Sequence, residues 1–242
     1  MNFRKLVCVA LTCFITSQAS ANAIINGDFA TCDFSGWQKD TDGFGDVSVL
    51  NDFTIVSSPD CAASINVDYG DTNTEAYFAN TLYQELDFTA ASDSTFLLTM
   101  DFMVESELGS VDPNFIADYF IVGLFDGIGS YYDHTGALGF LVADTYINGS
   151  ESFSLSFNLD NWFVNQTGWS LDFQLNLGAD LFGDTDQAGS SLIINNVSLT
   201  EVPSQAVSAP GTVSVFALGL LGLMLRRKAG VMTLVNRATT GK

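Results

Sequence analysis

Between Ile24 and Thr200 the chain alternates apolar and polar residues with a period of two, and no stretch of a dozen residues keeps the spacing of an amphipathic helix. The sharpest run is Trp169, Leu171, Phe173, Leu175 and Leu177, interleaved with Ser170, Asp172, Gln174 and Asn176. A second is Phe96, Leu98, Met100, Phe102 and Val104. Side chains alternate across a strand, so such runs predict strands with one packed face and one wet face. Further strands are predicted over residues 46–56, 62–69, 81–88, 119–125, 139–143, 152–159 and 192–199. Clusters of Gly, Asp, Asn and Ser separate them. About nine or ten short strands without helical segments predict an all-β fold, an antiparallel β-sandwich of jelly-roll type. No internal repeat or linker interrupts residues 24–201, which are read as one domain large enough to bury a sizeable core.

Outside that body the pattern changes. Residues 1–23 have a basic start (Arg4, Lys5), an apolar run from Leu6 to Thr16, and small residues at Ala19, Ala21 and Ala23. This is the order of an export signal helix, with cleavage expected after Ala21 or Ala23. The run is about 11 residues long, short of the roughly 20 that a spanning helix needs. Export removes Cys8 and Cys13 and leaves Cys32 and Cys61 in an oxidising compartment, where they are expected to form a structural disulfide. The competing two-thiolate metal site lacks the further Cys or His ligands that zinc requires. At the other end, residues 202–210 are rich in small residues and proline. An apolar helix over 211–225 follows, then the basic stop Arg226, Arg227, Lys228 and a tail over 229–242. Fifteen helical residues rise about 22 Å, less than the roughly 30 Å hydrocarbon core, which predicts a weak or transient membrane contact. The basic stop would remain on the cytoplasmic side.

Charge sharpens the picture. The formal net charge is −20, from 28 acidic against 8 basic residues. Lys39 is the sole basic residue between Ile24 and Pro210, so that stretch holds one ammonium against 28 carboxylates, a net charge near −27. A chain that is 47% apolar and only 15% charged is not a disordered polyanion. Nucleic acid is excluded as a partner by the lack of Lys and Arg. Such a body repels itself unless salt or divalent cations screen it, which suits a saline or calcium-bearing exterior.

Two resemblances follow from particular residues. The order Val207-Ser208-Ala209-Pro210, Gly/Leu-rich helix, Arg226-Arg227-Lys228 resembles the PEP-CTERM sorting signal of Gram-negative bacteria. It implies an exosortase-type sorting enzyme as partner and delivery to the cell surface or an exopolysaccharide matrix. The proline motif departs from Pro-Glu-Pro, and the 229–242 tail is longer than is usual there. Within the body, Ile24-Ile25-Asn26-Gly27-Asp28-Phe29 with Phe34-Ser35-Gly36-Trp37, and the closing Ile194-Asn195-Asn196-Val197-Ser198-Leu199, resemble the two ends of galactose-binding-like jelly rolls, the fold of many carbohydrate-binding modules. That resemblance also implies a structural calcium held by acids after the Phe and in the closing strand. Here those positions are Ala30 and Asn195, which leaves Asp28 and backbone carbonyls for the ion.

Candidate chemistry is sparse. Asp40, Asp42 and Asp46 share a Gly-rich turn that could wrap a hard cation or serve as a solvated loop, and Asp180, Asp184 and Asp186 pose the same alternatives. Beyond calcium no cofactor is implied. Trp162 and Trp169, with Asn165 and Gln166 between them, provide the rings and amides that hold a sugar. Trp169, however, opens a core-facing row, and Trp162 is equally suited to packing under a loop. Tyr131 and Tyr132 are secondary candidates. The single histidine, His134, has no nucleophile motif beside it, and no metalloprotease, nucleophile-elbow or phosphate-loop motif appears. The expectation is a non-enzymatic, exported, surface-sorted β-sandwich that binds glycan or exopolysaccharide. The alternatives are a matrix protein whose acidic surface is bridged by calcium and a secreted glycoside hydrolase working through two carboxylates.

Overall fold

The computed structural model describes residues 24–41, 51–57, 59–67, 79–90, 94–106, 115–116, 118–144, 149–180 and 189–203. They belong to one compact unit that ends at Pro203. The export segment, Asp42 and Asp46, Asp184 and Asp186, and the whole sorting segment from Val207 to Lys228 lie outside the described residues. So do both expected terminal helices.

The predicted all-β sandwich is present as two antiparallel sheets. One contains β1 (Gln38–Thr41), β4 (Ala79–Leu86), β11 (Trp169–Asn176), β7 (Tyr119–Phe125) and β8 (Tyr131–Tyr132), paired in that order. β9 (Val142–Asp144) also pairs with β7. The other runs β10 (Gly149–Leu159), β5 (Ser94–Ser106), β13 (Ser190–Pro203), β3 (Ala62–Val67), β2 (Phe53–Val56). A short separate ladder joins β6 (Phe115–Ile116) to β12 (Ala179–Asp180).

The period of two becomes the core directly. In β5 the buried row is Phe96, Leu98, Met100, Phe102 and Val104, and in β11 it is Leu171, Phe173 and Leu175. These rows meet between the sheets, where Phe173 packs edge-on to Phe102 and to Trp37 at 6.0 and 6.1 Å between ring centres. Edge-to-face rings place a positive rim against a negative face and so add to simple burial. A bulge between Ile194 and Asn196 shifts the register of β13 on β5, which leaves Asn195 exposed.

The opening motif plugs one margin of the sandwich. Phe29 and Trp37 are buried and stacked at 5.4 Å. Gln84 clamps the Ile25 backbone, accepting from its N–H at 2.6 Å and donating to its carbonyl at 2.9 Å. Gly27 lies so close to β13 that a Cβ there would meet the Val197 carbonyl oxygen at 2.0 Å, so only glycine fits. The Gly27 carbonyl in turn accepts from the Val197 N–H at 2.8 Å. This is the contact that joins the opening and closing motifs. The expected disulfide closes the same region, with Cys32 and Cys61 bonded and their Cα atoms 5.3 Å apart.

The lone lysine of the body lies over two aromatic rings. Lys39 Nζ sits 3.7 Å from the centre of the Phe34 ring and 5.3 Å from that of Phe53. Burial holds its ammonium below the ordinary lysine value, and the two ring faces partly offset that cost.

Candidate functional site

The outward face of β11 carries Ser170, Asp172 and Gln174. Registers across the sheet place Thr81 opposite Gln174, Tyr83 opposite Asp172 and Glu85 opposite Ser170 on β4. On β1, Gln38 stands opposite Tyr83 and Asp40 opposite Thr81. On the other side, Gly123 and Phe125 of β7 face Asp172 and Ser170. The wet faces of these strands form the floor of one cleft of about 410 Å³, completed by Gly127, Tyr131, Gly168 and Trp169. Concave sites of this size, with aromatic walls and a few placed polar groups, are where small ligands bind.

Gly123 makes the cleft possible. A Cβ at this position would meet Tyr131 Cδ1 at 2.7 Å, so its absence lets the tyrosine ring lie across β7. There Tyr131 packs between Phe125 and Phe140, at 5.1 and 5.4 Å between ring centres, and its hydroxyl donates to Asp172 Oδ2 at 3.0 Å. The Ser170 hydroxyl donates to Asp172 Oδ1. Asp172 is therefore only 6% exposed, with two neutral donors and no fixed cation among the described residues lining the cleft. Burial raises its carboxyl above the ordinary aspartate value, against the opposing pull of the Ser170 and Tyr131 hydrogen bonds, and Asp40 adds to the rise. Burial also raises the Tyr131 phenol, reinforced by the Asp172 charge, and raises Tyr83, reinforced by Asp40, Asp172 and Glu85. Tyr83 donates to Gln38 Oε1 at 3.1 Å, and Gln174 donates to Thr81 Oγ1 at 3.1 Å. Those two bonds order the polar floor between the rings.

Of the residues singled out in the sequence, Tyr131 and Asp40 line this cleft. Trp169 borders one end of the cleft, while its ring packs in the core against Tyr132, Trp162 and Phe163. Trp162, at 44% exposure, stands in a 3-10 turn at Asn161–Phe163, with its ring against Phe163, Trp169 and Tyr132. Tyr132 is half-buried between Trp162 and Trp169. Asn165 adopts φ 62°, and its Oδ1 accepts from the Ala90 N–H at 3.4 Å, while Gln166 donates to the Trp162 carbonyl at 3.1 Å. Those amides hold loop backbone.

Most described aspartates near turns act the same way. Asp126 Oδ1 accepts from the N–H groups of Ser130, Ile128 and Gly129, and Asp133 Oδ1 from the Thr135 hydroxyl and from the N–H groups of Thr135 and Ala137. These bonds favour the ionised form and hold both carboxyls below the usual aspartate range. Asp28 Oδ1 accepts from Ala30 N–H at 3.2 Å. Among the described residues, no group of three or more His, Cys, Asp or Glu side chains is arranged to hold a metal ion. His134 packs against Phe157 at 5.2 Å, and its carbonyl accepts from Asp160 N–H.

The residues the sequence reading missed are Tyr83, Glu85 and Asp172. Their signal was present as the polar half of the alternation, which marks a wet strand face but not a concave one. No protein-family model matches the chain, and no curated protein matches it. Among solved structures it is similar to a Stig cyclase, Fisc from Fischerella sp., crystallised with an indole compound, at 17% identity over 77% of this chain and 100% of that one, with a TM-score of 0.39. It is also similar to a non-crystalline-cellulose-specific carbohydrate-binding module, CBM28, at 14% identity over 75% of this chain and 96% of that one, TM-score 0.40. A third is the Caldicellulosiruptor saccharolyticus module CBM27-1 in complex with mannohexaose, at 10% identity over 72% and 94%, TM-score 0.39. Similarity at this level assigns neither a ligand nor an activity to the chain.

Proposed function

We propose that this protein is an exported β-sandwich that holds polysaccharide in the cleft on its six-stranded sheet without catalysing a reaction on it. The observation that supports this reading is the cleft itself, in which the rings of Tyr83, Phe125 and Tyr131 stand beside carboxylate, amide and hydroxyl groups on one rigid floor. Pyranose rings offer apolar faces to aromatic rings and hydroxyls to such acceptors. Strands position these groups more tightly than loops would.

A panel of soluble and insoluble glycans, offered to the full chain with and without calcium, tests the reading. Retention of at least one polymer is expected, with Tyr83→Ala weakening it about tenfold, equivalent to about 1.4 kcal/mol of lost contact. If the chain retains no polymer in either condition, it is not a glycan binder. Release of new reducing ends from a retained polymer would make it a hydrolase instead.

The same proposal includes sorting. The expected route is export through residues 1–23 and recognition of Val207-Ser208-Ala209-Pro210, with Arg226, Arg227 and Lys228 as the stop. Replacing those three basic residues by Gln is expected to leave the protein unprocessed and away from the surface in cell fractionation. Unchanged surface delivery and processing would count against this role for the tail.

A further inference from the structure

The cleft combines three kinds of evidence about its occupant. Among the described residues its lining includes three carboxylates, Asp40, Glu85 and Asp172, and no Lys, Arg or His. The one lysine on the bordering strand, Lys39, alternates away from the cleft and is held over the Phe34 and Phe53 rings, so it does not neutralise them. Three lining residues carry rings on the wet side of the sheet, Tyr83, Phe125 and Tyr131, and the negative faces of such rings attract cations. Asp172 in particular keeps a buried carboxylate whose described partners are two neutral hydroxyls. Burying an anion without a countercharge is costly, and a ligand cation would relieve that cost on binding.

We propose that the cleft selects a polysaccharide carrying free protonated amines, a polymer of amino sugars that are not N-acylated, over neutral and uronate polymers. This rests on the glycan-binding reading and adds a charge class to it. Each sugar ring would meet an aromatic wall while its ammonium replaces the missing countercharge among Asp40, Glu85 and Asp172. A uronate would meet those same carboxylates and be repelled, and the −27 body would oppose its approach from a distance.

The test is calorimetric titration of the full chain with four oligosaccharides of equal length: a glucosamine oligomer, its N-acetylated counterpart, a neutral glucan and a uronate oligomer. The glucosamine oligomer is expected to bind at least tenfold more tightly than its N-acetylated counterpart, with the uronate weakest. Asp172→Asn and Asp40→Asn should each cost about tenfold for the amine ligand and less than twofold for a neutral one. Asp40 lies on an exposed edge strand, so its variant keeps the test valid even if Asp172→Asn disturbs folding. Glu151→Gln, an equal charge change on β10 of the other sheet, should alter amine affinity less than twofold. Affinity should also rise with pH as Asp172, which faces Asp40, Glu85, Tyr83 and Tyr131 in the cleft, ionises above the ordinary aspartate value because burial has raised it. It should fall again when the ligand amine deprotonates.

Equal binding of the amine and N-acetylated oligomers would overturn cation selection and leave the glycan reading intact. A loss on Glu151→Gln matching that on Asp172→Asn and Asp40→Asn would also overturn it, by showing diffuse attraction to an acidic body. Failure of all four ligands would overturn both.

Discussion

Replacing Phe173 with Ala is expected to lower the unfolding free energy by about 3–5 kcal/mol, as deletion of a fully buried aromatic ring does when the cavity cannot close. Phe173 is 0% exposed and touches Trp37 from the opening motif and Phe102 from the opposite sheet. The hole therefore opens where three parts of the fold meet. Domains of this size are typically stable by only 5–15 kcal/mol, so the variant should be marginal. Urea denaturation checks this as a shift in midpoint at unchanged slope. Phe173→Leu, which keeps most of the volume, should cost about 1.5 kcal/mol or less. Phe173 also lies between Asp172 and Gln174 on β11, so collapse into the hole would tilt two floor residues of the cleft. Glycan affinity should fall even well below the melting temperature. A loss under 1 kcal/mol for Phe173→Ala would mean that the sheets are not packed as described.

Reducing the Cys32–Cys61 bond is expected to cost about 3.5 kcal/mol, from freeing a loop with a sequence separation of 29 residues in the unfolded chain. In a domain this large that is roughly a 10 °C drop in melting temperature, measurable by calorimetry with and without reductant. The bond ties the opening turn, which is otherwise held by the Gln84 clamp and the Gly27–Val197 contact, to the start of β3. Cys32 also has φ 54°, in the left-handed region that costs an ordinary residue about 1–2 kcal/mol. Asn adopts that conformation more readily, so the pair Cys32→Asn, Cys61→Ala should lose less stability than Cys32→Ala, Cys61→Ala. An unchanged melting temperature on full reduction would show that the bridge constrains nothing.

The strands read from alternation survive almost residue for residue where two unlike faces impose it. The runs in β5 and β11 are the clearest cases, because their inward rows meet only apolar neighbours. Where the structure adds strands, the sequence had no such contrast. β1 is Gln-Lys-Asp-Thr, polar throughout, and becomes a strand because β4 offers it an unpaired edge. β8 is two consecutive tyrosines, too short to show any period. The predicted strand at 139–143 begins later, at Val142, because Gly139 and Leu141 bond to Tyr131 and Val122 outside a regular ladder.

The candidate site divides along the same line. Trp162, Asn165 and Gln166 are neighbours in the chain and together suggest a sugar-binding loop, yet both amides are engaged by nearby backbone. Gln166 bonds within its own turn, where neighbours in sequence meet at little entropic cost, whereas Asn165 bonds Ala90, 75 positions away in the chain. The cleft draws on Asp40, Tyr83, Glu85, Tyr131 and Asp172, spread over more than a hundred positions and gathered by strand pairing.

From the sequence alone came the fold class, the disulfide pair and the scarcity of basic residues in the body, together with the expectation of two terminal address segments. All of these depend on period, composition or order along the chain. The tertiary structure alone decided that the wet face of one sheet is concave, that Gly123 admits the Tyr131 ring, and that an aspartate is buried there without a fixed countercharge among its described neighbours. Alternation tells which side of a strand faces water. Which strands lie side by side, and so which charges share that water, is settled only when the sheet closes.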